Sequence, residues 1–248
     1  MELRRTILEF ERVAIPASVA YDAAMRNISF RLEEGQLMLI RVDEGSDHLP
    51  LADAAQGLIA PSSGAVRFMG EEWWKMGARR EAKMRGKTRR IFETESWISN
   101  LDVMENLLLS EFHHTHRHTD DLVAEAQSLA RAFGLTEIPN GRPAQQHVAT
   151  LRRLDWVRAF MGHPELILLD RAALGISRRD IALMIPAVRT ALHRGAAVIW
   201  ITLEGSIWTH PELADAVRYV MRGDEMALET ATPMDDPSKA GGTSHAKR

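Results

Sequence analysis

Apolar and polar residues alternate through TILEFERVAI (6–15) and NISFRLEEG (27–35), the period of two expected of half-buried antiparallel strands. A nearly continuous apolar run, QLMLIRV (36–42), follows. It enters a polar loop, DEGSDH (43–48), and beyond the loop an apolar helical segment extends to about Gly57. PSSGAVRFMG (61–70) reads as a turn and a short strand. From about Trp97 to Val148 the pattern changes: LDVMENLLL and DDLVAEAQSLARAFGL have helical spacing, with no strand between them. Strands and helices then alternate: helix RRLDWVRAFMG, strand ELILLD, helix RRDIALMIPAVRTALHRG, strand AAVIWITLE. That alternation implies right-handed crossovers in a mainly parallel sheet. VRYVMRGDEMALET predicts a closing hairpin around Gly223 and Asp224, and the small, polar tail is expected to be disordered. The expected division is an α/β core in two parts, 1–96 and 151–231, an inserted helical subdomain at 97–150, and a tail at 232–248.

The charge balance adds little to this picture. A formal net charge of −3 gives no reason to expect nucleic acid as a partner. The chain has no cysteine, which excludes disulfides, thiolate metal sites and cysteine nucleophiles. The N-terminal residues lack the apolar stretch of a signal peptide, and no run approaches the roughly 18 apolar residues of a membrane span. A soluble, cytoplasmic protein is expected, able to dock on a membrane partner.

A strand, a glycine-bearing loop and a helix start form the layout of a phosphate-binding loop. Such a loop works through glycines that bare backbone N–H groups, a lysine for phosphate charge and a hydroxyl for Mg²⁺. Here the loop carries Asp43, Glu44 and Asp47, a single glycine, Gly45, and no lysine. Carboxylates at a helix N-terminus occupy the place an anion would take. Asp47 is expected to act as N-cap, with Pro50 in the first turn.

The order of parts resembles the nucleotide-binding subunit of ABC transporters over nearly the whole chain, to about residue 230. The resemblance is carried by Gly57, PSSG (61–64), AVRFMG, the stretch TRRIFETESWISNLDVMENLLL and VRAFMGHPELILLD. It implies a P-loop NTPase-like ABC ATPase fold: α/β, mainly parallel, with N-terminal antiparallel strands and an inserted helical subdomain. In that register Val42 and Asp47 replace the motif glycines, His48 the lysine and Leu49 the hydroxyl residue. Glu93 replaces the Q-loop glutamine, and the signature falls on QHVAT (146–150), with His147, Val148 and Ala149 at its serine and glycines. Asp170 survives at the end of the Walker B strand, but Arg171 replaces the catalytic glutamate. The D-loop reads LGIS (174–177), Leu203 replaces the switch histidine, and Tyr21 lies near the adenine-stacking position.

The resemblance therefore implies a catalytically inactive subunit, a structural or regulatory partner of a membrane permease. No catalytic residue and no cofactor is expected; ATP and Mg²⁺ belong to the alternative, a hydrolysing subunit with a rebuilt site. Arg171 is expected to pair with Asp43, Glu44 or Asp47. Expected partners are an ABC permease and a second cassette, identical or active, with no nucleic acid. The expected location is the inner face of the membrane. Glu93, Trp97, Ile98 and Leu101 fall where the family presents a groove to the permease, though ordinary core would explain the apolar three as well. EFHHTHRHTDD is expected to be an exposed His-rich loop rather than a metal site, and it also resembles a segment of Mce/Mla-type lipid-transport cassettes. The basic runs GARREAKMRGKTRR (77–90) and LRR (151–153) read as solvated helix faces, with anionic lipid headgroups at a docked membrane surface as the alternative for the first.

Overall fold

The computed structural model describes residues 4–42, 49–92, 96–172, 177–203 and 205–229. In chain order these are β1 (Thr6–Ile15), β2 (Met25–Glu33), β3 (Leu37–Arg41), α1 (Leu51–Ala55), β4 (Ser63–Phe68) and β5 (Glu71–Glu72). Then come α2 (Ala78–Arg85), β6 (Thr88–Ile91), α3 (Val103–His114), α4 (Thr119–Ala132), α5 (Val148–Phe160) and β7 (Leu166–Asp170). α6 (Arg178–Ile181), α7 (Met184–His193), β8 (Ala197–Thr202), α8 (Gly205–Trp208), β9 (Val217–Arg222) and β10 (Glu225–Leu228) follow.

One sheet has the order β10-β9-β3-β8-β7-β6. Its pairs are parallel except the closing hairpin, where Arg222 faces Glu225. The other, β2-β1-β4-β5, is antiparallel. Side-chain alternation along the parallel strands divides the core into two layers. Leu37, Leu39, Ile167, Leu169, Val198 and Trp200 meet the helices α3, α4, α5 and α7. Met38, Ile40, Leu166, Leu168, Ile199 and Ile201 meet α1 and the antiparallel sheet. The fold is therefore α/β and mainly parallel, with antiparallel N-terminal strands. Between β6 and α5 the described residues carry the helices α3 and α4 and a short 3-10 turn at Pro143–Gln145, with no strand among them.

Three local readings need correction. The segment 178–195 is two helices rather than one, because Pro186 offers no N–H to the carbonyl of Ala182 and its ring crowds that carbonyl. The N-cap residue of α1 is Pro50, with no side-chain cap, so Pro50 precedes the first turn instead of lying in it; Asp47 is outside the described residues. The run 77–90 is not one solvated helix face: α2 ends at Arg85, and Arg89 and Arg90 sit in β6 with buried side chains.

Trp73 shows how α1 is stopped. Its indole Nε1 donates to the carbonyl of Ala55 at 3.0 Å, and its ring stacks on Phe68 at 5.4 Å between centroids. Gly57 lies against that ring with φ +65, and a Cβ there would come within 2.6 Å of it. Gly57→Val is accordingly expected to cost about 2–4 kcal/mol of stability, measurable by urea denaturation.

Candidate functional site

The parallel strands end on one edge of the sheet, the place where open α/β sheets bind ligands. β3 leads to Val42, which is buried, and the chain re-enters at Leu49, also buried. Asp43, Glu44, Gly45, Asp47 and His48 fall outside the described residues, as does Glu93, so the expected pairing of Arg171 with the loop carboxylates lies outside them too.

The residue that organises the described edge is Arg90. β6 is an edge strand, and its alternation sends Arg89 toward the helices and Arg90 toward α1. Arg90 Nη1 donates to Asp53 Oδ1 at 2.5 Å, and Nη2 donates to Asp170 Oδ2 at 2.5 Å. The three side chains are 8%, 20% and 13% exposed. The guanidinium carbon also lies 4.7 Å from the centroid of the Phe92 ring, while Nε has no hydrogen-bond partner. Asp53 Oδ2 accepts from the Tyr21 hydroxyl at 3.1 Å. Tyr21, Asp53, Arg90 and Asp170 thus form one chain of contacts carrying two negative charges and one positive.

Burial and then the Asp53 carboxylate push the Tyr21 phenol up to about 12 from an ordinary 10.0. Because the folded value is raised, the neutral phenol contributes stability that is complete below about pH 10 and lost as pH rises through about 12. Tyr21→Phe is expected to cost about 1 kcal/mol near neutral pH and to reduce the loss of stability in that alkaline window. Denaturation at pH 7 and pH 11 checks both.

Arg171 follows Asp170 directly. It is buried, its φ is +49, and its N–H donates to the Ile201 carbonyl at 3.1 Å. A left-handed backbone at a non-glycine residue is unusual; among the described residues Arg12, Asn27 and Met69 share it. Leu203 is exposed beyond the end of β8. At the start of α5, His147 caps its own helix, Nδ1 accepting from the Ala149 N–H at 3.2 Å. Val148, beside it, is 60% exposed. Of the D-loop positions, Ser177 is described; its hydroxyl donates to Asp180 at 2.9 Å.

The stretch after β6 is tied to α5. Arg152 donates to the Phe92 carbonyl at 2.9 Å, and Arg158 donates to the Ser96 carbonyl at 3.0 Å and to Asp155 at 2.8 Å. Trp97 packs half-buried on the helical core with the Arg158 guanidinium 5.0 Å from its ring centroid. Asn106, itself buried, clamps the following turn: Oδ1 accepts from the Ile98 N–H at 2.8 Å, and Nδ2 donates to the carbonyls of Ile98, Leu101 and Asp102 at 3.0–3.2 Å. The result holds Ile98 42% exposed beside a groove of about 450 Å³ lined by Ser96, Leu109, His113 and Arg158. Trp97 is therefore part of the core, Leu101 is half-buried, and Ile98 is the apolar side chain offered outward.

The histidines separate. His113 and His114 close α3, and His114 packs against Gly86, where burial and then Arg89 hold its pKa below the usual value. Among the described residues no three His, Asp or Glu side chains are grouped to hold a metal ion.

No family model matches the chain. The phosphonates import ATP-binding protein PhnC 2 of Synechococcus is 24% identical over 188 residues, 72% of this chain and 69% of that protein. PhnC of Treponema denticola is 26% identical over 59% of this chain, which spans 60% of that relative. The uncharacterized ABC transporter ATP-binding protein YphE of Escherichia coli is 24% identical over 72% of this chain, which spans 36% of YphE. A structure described as the dimeric post-hydrolysis state of the ATP-binding cassette MJ0796 bound to ADP and Pi superposes with a TM-score of 0.78, at 16% identity, covering 91% of this chain and all of that one. The ATP-binding subunit of an ABC transporter gives 0.75 at 18% identity, with 90% of each chain covered. The chain has the ATP-binding-cassette fold. Its sequence relatives are ATP-binding subunits of ABC transporters.

This corrects the expectation that no cofactor is used: the relatives are named as ATP-binding proteins, and a cassette of the same fold is described with ADP and Pi. In P-loop NTPases Mg²⁺ is held by a loop hydroxyl and the Walker B aspartate. Leu49, which the sequence register puts at the hydroxyl position, is buried, and Asp170 is engaged by a guanidinium. With Arg90 in this position the described donor set does not fit Mg²⁺.

The sequence reading missed Arg90, Asp53 and the Arg158–Asn106 framework. The two adjacent arginines of TRRI were the available signal, since a short strand carrying both at a sheet edge must bury at least one and so must pair it.

Proposed function

We propose that the chain is the cassette subunit of an ABC transporter, seated on a membrane permease through the groove beside Ile98, and that its own site does not hydrolyse ATP. The observation that carries this reading is Asp170 held by Arg90 with Arg171 next in the chain. Polarising a water for attack on a phosphate needs a group that accepts a proton, and a guanidinium has no acceptor. ATP, the nucleotide in the relatives' names, is the nucleotide proposed for this chain as well. The exposed Ile98 and the rigid turn that presents it support permease docking. Val148, exposed at the start of α5, supports a second cassette as partner. Among the described residues no helix is long and apolar enough to cross a membrane. In this reading the chain sits at the inner membrane face through the permease.

A second reading, a hydrolysing subunit with a rebuilt site, draws support from the relatives' names. Phosphate release by the purified chain at millimolar Mg-ATP separates the two. The first expects release indistinguishable from an Asp170→Ala control, and the second expects turnover that Asp170→Ala abolishes. Ile98→Asp tests docking: it is expected to leave stability within about 0.5 kcal/mol while releasing the chain from its source membranes.

A further inference from the structure

We infer that Arg90 controls metal access to this site: its guanidinium is a built-in cation that competes with a divalent ion for Asp170. The inference deepens the reading above and rests on it for one point, that Asp170 is the carboxylate this fold presents to a metal.

The geometry resembles a metal bridge with an arginine in the middle. One carboxylate comes from the end of β7 and the other from the first turn of α1, and neither lies near the other in sequence. Each gives one oxygen to the same guanidinium at 2.5 Å. Tyr21 occupies the remaining oxygen of Asp53. Mg²⁺ or Mn²⁺ bound by carboxylates requires oxygens at roughly 2.0–2.2 Å in octahedral array and tolerates no cation between them. An arginine nine-tenths buried and a divalent ion therefore cannot share this space.

The same electrostatics says what happens when the arginine is removed. Asp53 and Asp170 would then face each other in a mostly buried position as two unpaired negative charges, which destabilises the fold. A small divalent cation neutralises that pair fully, where the guanidinium leaves one negative charge over. A purely structural arginine predicts something else: its loss would destabilise the chain, and no metal would help.

The full chain, Arg90→Ala and the double variant Arg90→Ala/Asp170→Asn would be titrated with Mn²⁺, following the free-ion signal by electron paramagnetic resonance. Thermal midpoints would be recorded with and without millimolar Mg²⁺. Arg90→Ala is expected to melt lower than the wild type, to recover part of the loss with Mg²⁺, and to bind Mn²⁺ at least about tenfold more tightly than the wild type. The double variant is expected to lose both the recovery and the tight Mn²⁺ site. An Arg90→Ala chain that gains neither would overturn the inference. A second comparison does not depend on that variant folding: wild type and Asp170→Asn are expected to bind Mn²⁺ alike, and a wild-type site lost in Asp170→Asn would also overturn it. Neither readout is turnover. A chain that hydrolyses ATP would refute the proposed function without deciding this point, and a failed metal rescue would refute this point alone.

Discussion

Glu111→Ala is expected to destabilise the protein by about 3–5 kcal/mol, the range for breaking a buried ion pair from one side. Glu111 is 2% exposed, on the face of α3 that packs toward β6. Its Oε1 accepts from Arg89 Nη2 at 2.5 Å, and Arg117 reaches Oε2 at 3.7 Å. The remaining space is closed by Gly162, where a Cβ would collide with the carboxylate. Alanine leaves Arg89 buried with its charge unopposed; Nη1 keeps only the carbonyls of Gly86 and Thr88. The contact joins the helical segment to the edge strand that carries Arg90, so its loss also loosens the site. Replacing both partners, as Arg89→Met with Glu111→Leu, should recover much of the cost, because two apolar side chains need no pairing. Urea denaturation of the two single variants and the double variant measures the coupling.

The second large effect is expected at Asn106. Its amide makes four hydrogen bonds to the backbone of residues 98–102 from a buried position. Asn106→Ala leaves a buried donor and acceptors unmade and is expected to cost about 2–4 kcal/mol. The more informative readout is local. Amide exchange at Ile98 should accelerate beyond what the global loss accounts for, because the turn that holds Ile98 outward has lost its clamp. Membrane association should weaken with it if a permease reads that turn.

Much of this was legible in the chain. The alternation in β1 and β2, the apolar runs of β3, β7 and β8 and the helical spacing of α3 and α4 each dictated their element, because one periodicity dominated each segment. The order of those elements then carried the fold, which the structural neighbours share. What escaped was set by tertiary contact. β6 is four residues long with two arginines; their adjacency signals that one must be paired, but the partners, Glu111 on one face and the Asp53–Asp170 pair on the other, are set by tertiary contact. Trp73 caps α1 over Gly57 through a contact sixteen residues away in sequence from that glycine, which no local pattern signals. Pro186 marks the break between α6 and α7 in the sequence itself, because a proline cannot sit inside one continuous helix without losing a hydrogen bond. The expectation of an unused cofactor was a different kind of error: it inferred a missing ligand from missing side chains, and the relatives are ATP-binding proteins.

The central claim, that this chain's own site does not hydrolyse ATP, is tested most directly in the assembled transporter, since a partner cassette could supply turnover of its own. The complex would be purified from its source membranes through a tag on this chain, with wild-type Asp170 and with Asp170→Asn, and ATP-dependent phosphate release compared. The account predicts the same rate from both complexes. A rate that collapses with Asp170→Asn, while the complex stays assembled, would contradict it and assign hydrolysis to this chain.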